Sequence, residues 1–418
     1  MLASVVNFLT GLGPTVMLPI LILILGLILG QKISEALRSA LTIGVGFVGL
    51  NLVIGLLIGA LAPATQALIE RTGVNLTAMD VGWGVAAAIA FGTRVGALIV
   101  PLAFGINIVM LLTKTTRTLN VDIWNFWHYA FTGSLVTIIT GSIPLGLVAA
   151  AIHAVVALKI ADLTGPQVQE FFELPGVAIP QGWAITSVPI VLVMNKILDK
   201  IPGINKIKAD PETVQKKLGV VGQPIFLGFI LGALFGLLAG YDITKLLQLS
   251  VSMAGVMLLV PRIIAIFMEG LVPLSESAKA FLQKRFGGRE FYVGLDSAIL
   301  IGHPVTIAAG ILLIPITLGL AAVLPGNTTL PFADLAATAF FVCMATLFTR
   351  GDLFRTTVIG AVIMIVVLYT SSSLAPLITA NAASIGYQMP EGATTITALS
   401  GGNWIAWLLA SVAKLLAK

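Results

Sequence analysis

Gly96-Ala-Leu-Ile-Val-Pro101-Leu-Ala-Phe-Gly105 and Gly310-Ile-Leu-Leu-Ile-Pro315-Ile-Thr-Leu-Gly319 hold two glycines and a proline in register at an offset of 214 positions. Two weaker matches precede them in the same order. Gly30, Ile33, Ser34 and Leu37 correspond to Gly240, Ile243, Thr244 and Leu247, and Leu61, Pro63 and Thr65 to Leu271, Pro273 and Ser275, both at an offset of 210. The chain therefore reads as an internal repeat. Each strong match lies in an apolar segment of 33 residues, 81–113 and 291–323. As one helix, such a segment is roughly 50 Å long, against a hydrocarbon core of about 30 Å. Neither is expected to be a simple span. Gly92-Thr93-Arg94 interrupts the first and Gly302-His303-Pro304 the second, and a proline without a backbone donor beside a loose glycine turn ends a helix.

Composition fixes the solvent. Of 418 residues 58% are hydrophobic and 10% charged, with a mean hydropathy of +1.05, whereas soluble domains carry about 25% charged residues. A water-soluble fold is excluded, and the class is a polytopic helical membrane protein. The net charge of +5 reports orientation, and no nucleic-acid partner is expected.

Apolar segments fall at about 14–30, 39–63, 81–113, 130–152, 177–195, 219–240, 244–267, 291–323, 334–349, 356–376 and 403–417. The expected fold is an all-α membrane protein of about eleven transmembrane helices. Five spans separate equivalent positions, and an odd number inverts the second copy. The reading is two inverted five-span repeats, 1–195 and 219–376, joined by a cytoplasmic linker over 196–218 and followed by an external loop and final helix over 377–418. Broken helices or re-entrant hairpins are expected at 81–113 and 291–323. With the N-terminus outside and the C-terminus in the cytoplasm, 18 lysines and arginines lie inside and three, Arg71, Lys159 and Lys245, outside, as the positive-inside rule requires. His153–Leu174 is expected as a helix at the outer interface, and Trp124, Trp127 and Tyr129 as interfacial anchors.

Inverted repeats with broken helices in corresponding places point to a substrate site near the middle of the membrane. Charged groups there need a partner or a wet cavity. Asp296 and His303 stand seven positions apart, two turns of one helix face if the helix is continuous. A carboxylate accepts two hydroxyl hydrogen bonds and an imidazole offers one donor and one acceptor, a set suited to an uncharged polyol. His128 and Thr132 share a face at a spacing of four, and Gln181, between Pro180 and Gly182, is a further hydroxyl partner. Glu269 and Glu276 either join a site or line the cytoplasmic face. No GxxxxGK[ST] loop and no metal spacing of histidines occur in the sequence, so neither cofactor nor metal is expected. Cys343, the single cysteine, lies in an apolar run and reads as a small core residue.

Phe91-Gly-Thr-Arg-Val-Gly-Ala97, Trp127-His-Tyr-Ala-Phe131, Phe267-Met-Glu-Gly-Leu-Val-Pro-Leu-Ser-Glu-Ser-Ala-Lys-Ala-Phe281 and Gly294-Leu-Asp-Ser-Ala-Ile-Leu-Ile-Gly-His-Pro304 resemble the galactitol-type enzyme IIC permeases of the bacterial sugar phosphotransferase system. The resemblance extends over nearly the whole chain, and the ascorbate permeases are more distantly similar. It implies a multi-pass protein of the bacterial inner membrane and a homodimer in which a core domain carries the sugar past a fixed scaffold in an elevator-like motion. Substrate contacts are implied near His128, Gln181 and Asp296. The chain is then a permease component and not itself an enzyme. A separate soluble IIB protein, charged by IIA, supplies the phosphoryl group at the basic cytoplasmic face near Lys196–Lys217 and Lys279–Arg289. The competing reading is an ion-coupled secondary transporter of polyols or sugars with Asp296 or Glu276 as the coupling carboxylate.

Overall fold

The computed structural model describes residues 16, 19–74, 76–204, 207, 209, 223–286, 291–390 and 393–417. Side chains at 260, 261, 264, 268, 275, 278, 279 and 282–286 lie outside that description. So do Lys206, Lys208, Lys216, Lys217 and Arg289, and with them most of the expected docking surface.

The first half runs α1 (Pro19–Ile28), α2 (Ile33–Thr72), β1 (Ala78–Asp80), α3 (Gly82–Gly92), α4 (Gly96–Leu112), β2 (Thr118–Asn120), a 3-10 turn (Ile123–Phe126), α5 (Trp127–Thr140), α6 (Ile143–Phe171), β3 (Val177–Ala178) and α7 (Ala184–Lys200). The second runs α8 (Pro224–Leu238), α9 (Ile243–Phe286), β4 (Tyr292–Gly294), a 3-10 turn (Ser297–Leu300), α10 (Pro304–Val323), β5 (Thr329–Leu330), a 3-10 turn (Asp334–Ala337), α11 (Ala339–Phe348), α12 (Leu353–Ser384), β6 (Thr395–Thr397), a 3-10 turn (Leu399–Gly401) and α13 (Trp404–Leu416). Both halves run helix pair, strand, helix, strand, helix pair, strand and helix, with α3 added in the first and 3-10 turns at Ser297–Leu300 and Leu399–Gly401 in the second. Trp404–Leu416 follows β6 as Ala184–Lys200 follows β3. The segment expected as an external loop holds the end of α12, β6 and a buried 3-10 turn.

Six short strands tie the halves together by exchange. β1 lies between β5 and β6, with Ala78 opposite Thr329 and Thr395, and β4 lies between β2 and β3, with Val293 opposite Leu119 and Val177. All pairs are parallel, and each central strand comes from one half while its flanks come from the other. Two or three residues cannot make a stable strand alone. Here pairing satisfies backbone groups where helices stop, which a buried or lipid-facing chain must do somewhere.

Helix ends fall at both expected interruptions. α3 and α4 meet at 91°. Thr93 braces the bend, donating its hydroxyl to the Ala90 carbonyl at 2.7 Å and accepting from the Gly96 N–H at 3.0 Å. His303 caps α10, its Nδ1 accepting from the Val305 N–H at 3.3 Å, with Pro304 in the first turn. The 130–152 segment, expected as one span, is two helices: Gly141 adopts φ +67°, and Ser142 starts α6 by accepting from the Leu145 N–H. His153–Leu174 is therefore no interfacial helix of its own. Its first nineteen positions, to Phe171, continue a 29-residue apolar helix, with His153 fully buried.

α2 and α9 cross antiparallel in close contact. A Cβ on Gly46 would stand 2.9 Å from the Phe267 Cα, so only glycine admits this approach. Ile33, Leu37, Leu41, Val45 and Leu52 on α2 and Leu247, Val251 and Leu258 on α9 remain exposed and apolar, a surface made for lipid and not for water. Among the described residues four helices are long and apolar enough to cross a membrane, five if α3 and α4 make one span. The remaining apolar helices are 10–17 residues long, about 15–25 Å, so the expected eleven crossings are not established by helix length.

Candidate functional site

The sequence from Val121 to Trp127 leaves β2, turns once as 3-10 helix and enters α5, which carries Trp124, Asn125 and Trp127 to one place. Across from it, the chain leaving β4 turns at Asp296. Asp296 Oδ1 accepts from the Ala298 N–H at 2.9 Å and so caps the Ser297–Leu300 turn. Because β4 sits between β2 and β3, this turn meets both the Asn125 turn and the chain that leaves β3 toward Gln181. Asn125 Nδ2 donates to Asp296 Oδ2 and to Asp122 Oδ2, each at 2.8 Å. Gln181 Oε1 accepts from the Ser297 hydroxyl at 2.7 Å and from the Ala184 N–H at 3.1 Å.

These groups border a cavity of about 90 Å³. One wall is a single face of α2, Phe47, Asn51, Ile54 and Ile58. The other comprises Trp83, Trp124, Trp127, Trp183 and Phe340 together with Asn125, Gln181, Asp296 and Ala298. Indole faces suited to packing against C–H bonds stand beside polar groups that divide into two poles. Since Gln181 spends its oxygen on Ser297 and Ala184, its amide N–H groups form the donor pole. Asp296 supplies the acceptor pole. Trp183 Nε1 is buried without a partner among the described residues. Among the described residues no cluster of metal-ligating side chains occurs.

The structure brings together Asp296 and Gln181 from the expected set, and sets the others apart. His128 lies behind the cavity, stacked on Trp127 with ring centroids 3.8 Å apart and neither ring nitrogen bonded among the described residues. Thr132, one turn on, shares a hydrogen bond of 2.8 Å with His153 Nδ1. His303 is not on one helix face with Asp296. The intervening residues form a 3-10 turn and a break, and its ring packs against Phe171 and Phe172 at 5.0 and 6.0 Å. Glu269 borders a separate cleft with Glu35, Arg38, Ser39, Thr42 and Pro273, and Glu276 is exposed on the same helix. Trp127 and Tyr129 are buried and Trp124 lines the cavity, so none of the three is an interfacial anchor.

Sequence reasoning missed Asp122, Asn125, Ser297 and His153. A signal for the first existed: Thr118-Leu119 precedes Asp122 much as Thr329-Leu330 precedes Asp334, a repeat of acid after strand in both halves.

The profile of the sugar-specific permease component of the phosphotransferase system, EIIC-GAT, matches residues 7–392. A putative permease IIC component of Escherichia coli K12 is 43% identical over 409 residues, 98% of this chain and 94% of that protein. The galactitol-specific EIIC components of the phosphotransferase system in E. coli K12 and O157:H7 are each 42% identical over 412 residues, 99% of this chain and 91% of theirs. With both the profile and relatives of this identity running almost end to end, the chain belongs to the EIIC-GAT family of phosphotransferase-system sugar permease components.

Proposed function

We propose that the chain is the membrane permease of a galactitol phosphotransferase system, binding the hexitol in the cavity between α2 and the Asp296 turn. One observation carries the proposal: indole walls enclose an acceptor pole at Asp296 and a donor pole at Gln181, 2.7 Å from Ser297. A neutral chain of hydroxyls, each both donor and acceptor, fits two opposed poles. Galactitol is the substrate named for relatives 42% identical over 99% of the chain. His128 and Thr132 serve as the layer behind Trp127, reached by the sugar when the indole swings aside.

The sugar is phosphorylated by a separate IIB protein that IIA recharges, docking on the cytoplasmic face near Lys196–Lys217 and Lys279–Arg289, where basic side chains meet an acidic rim. In this reading the halves are inverted repeats, the N-terminus is outside and the C-terminus inside. The outward apolar faces of α2 and α9 pair two copies, and the rest of each copy carries the cavity across in an elevator-like motion. Exposed apolar helix faces and the position of the cavity against one face of α2 support it.

The test is uptake by proteoliposomes. Galactitol is expected to accumulate as its phosphate only with phosphorylated IIB on the cytoplasmic side. Accumulation of free galactitol driven by a proton or sodium gradient without IIB would replace this reading with that of a secondary transporter.

A further inference from the structure

Resting on the sugar-site reading above, we infer that Asn125 is a substrate-specificity residue, and that Asp122 fixes its carbonyl oxygen as a hydroxyl acceptor in the cavity wall. Asn125 lines the cavity and is 6% exposed. Both N–H bonds of its amide are committed, to Asp122 Oδ2 and Asp296 Oδ2 at 2.8 Å each. Turned round, the amide would set its oxygen against two carboxyl groups, so the orientation has one stable sense. Its Oδ1 takes no hydrogen bond from the described residues and is left to the cavity.

The acceptor pole is thus wider than Asp296. Asp296 and Asn125 Oδ1 side by side call for two hydroxyl donors on the guest at neighbouring positions. Asp122, 9% exposed, does not line the cavity and acts only through Asn125. The turn also holds itself in place: the Asp122 N–H donates to Asn120 Oδ1 at 3.0 Å, and the Asn120 N–H to Asn107 Oδ1 at 2.8 Å. An all-acceptor pole favours neutral polyols and disfavours an anionic sugar acid placed the same way, since a carboxylate there finds no donor.

The experiment is a cycle between protein and ligand, read by calorimetry on the full chain in detergent, with galactitol and its 1-, 2- and 3-deoxy analogues. Losing a hydroxyl that a buried acceptor awaits costs on the order of tenfold in affinity. In the unaltered protein at least one analogue is expected to bind about tenfold more weakly than galactitol. In Asn125→Ala that penalty should shrink to twofold or less while the others persist. Asp122→Ala keeps Asn125 but frees one N–H, letting the amide turn, and should erase the same penalty; Asp122→Asn, whose carbonyl still accepts, should retain it. Asp122→Ala also removes a carboxyl without exposing another, so it reads out if Asn125→Ala fails to fold. An unchanged pattern of penalties in either folded Ala variant overturns the inference while leaving the galactitol reading intact. An unaltered protein that binds none of the four polyols overturns both.

Discussion

Where β1 passes between β5 and β6, Asp80 and Asp334 together accept six backbone N–H groups, from Gly82, Leu399, Phe332 and Asp334 to the first and from Trp83 and Ser400 to the second. Where β4 passes between β2 and β3, Asp122 and Asp296 accept, among the described residues, one backbone N–H, from Ala298, and the two N–H groups of the Asn125 amide. The two places are built alike, each on a three-stranded parallel sheet and each with one acid from either half. At the first, backbone donors fill the carboxylate lone pairs, and the acids act as a keystone joining segments up to 319 positions apart. At the second, the described residues give the carboxylates fewer donors, and one of the two, Asp296, borders a cavity. A buried acceptor left short of donors is costly, and in the proposed reading a guest rich in hydroxyls would remove that cost by binding.

The largest effect is predicted at the keystone. Asp80→Ala strips four backbone N–H groups of their acceptor, and each buried donor left unsatisfied costs about 1–3 kcal/mol. Against a total stability of about 5–15 kcal/mol for a folded domain, the variant should fail to yield a monodisperse peak in size-exclusion chromatography. Asp122→Ala, at the matching place, should yield one. If Asp80→Ala folds normally and binds galactitol as before, the contrast between a closed and an open acid pair is lost.

Next comes Asp296→Asn, which turns a two-oxygen acceptor into a mixed amide beside Asn125, whose own N–H groups need acceptors. We predict galactitol binding at least tenfold weaker in calorimetric titration, with the melting temperature in detergent also lowered, because one amide oxygen cannot serve both the Ala298 N–H and the Asn125 amide. Equal affinity would remove Asp296 from the acceptor pole and make both acid pairs structural. A smaller loss, about three- to tenfold, is predicted for Ser297→Ala, which deprives Gln181 Oε1 of one of two donors and lets the donor pole rotate. Restoration by Ser297→Thr would tie the loss to the hydroxyl.

This contrast was only partly legible in the sequence. Gly92-Thr93-Arg94 and Gly302-His303-Pro304 announce helix ends because proline and glycine act on the local backbone, and the structure places breaks at both. Asp296 stands out because an acid among apolar residues must be accounted for. The exchanged strands were not readable: β3 and β5 are two residues each and their partners lie more than a hundred positions away, so no periodicity marks them. Asp80 and Asp122 end short polar connectors, where an acid looks like an ordinary span boundary until the other half of the chain is seen to meet it. The pairing of Asp296 with His303 rested on an unbroken helix between them. A 3-10 turn followed by a break rotates His303 away to Phe171. Gly141 was missed because a lone glycine in an apolar run is tolerated in most membrane helices, and only its positive φ makes it a turn.

The smallest effect is predicted at Cys343, and it bears on whether the open acid pair serves transport or covalent chemistry within the chain. Cys343 is fully buried in α11 and its thiol points at the Phe340 carbonyl, 3.3 Å from the sulfur. A nucleophile or phosphoryl carrier has to meet its donor, and a thiolate has to be stabilised by nearby positive charge or helix N–H groups; this side chain sits in the interior of a ten-residue apolar helix. Serine keeps the shape and the donor, so Cys343→Ser should transfer phosphate from IIB to galactitol within about twofold of the unaltered protein, a change worth less than 0.5 kcal/mol. Abolished transfer with sugar affinity intact would put the phosphoryl carrier inside this chain. Asp296 would then belong to a reaction centre, and the difference between the two acid pairs would be one of catalysis against support.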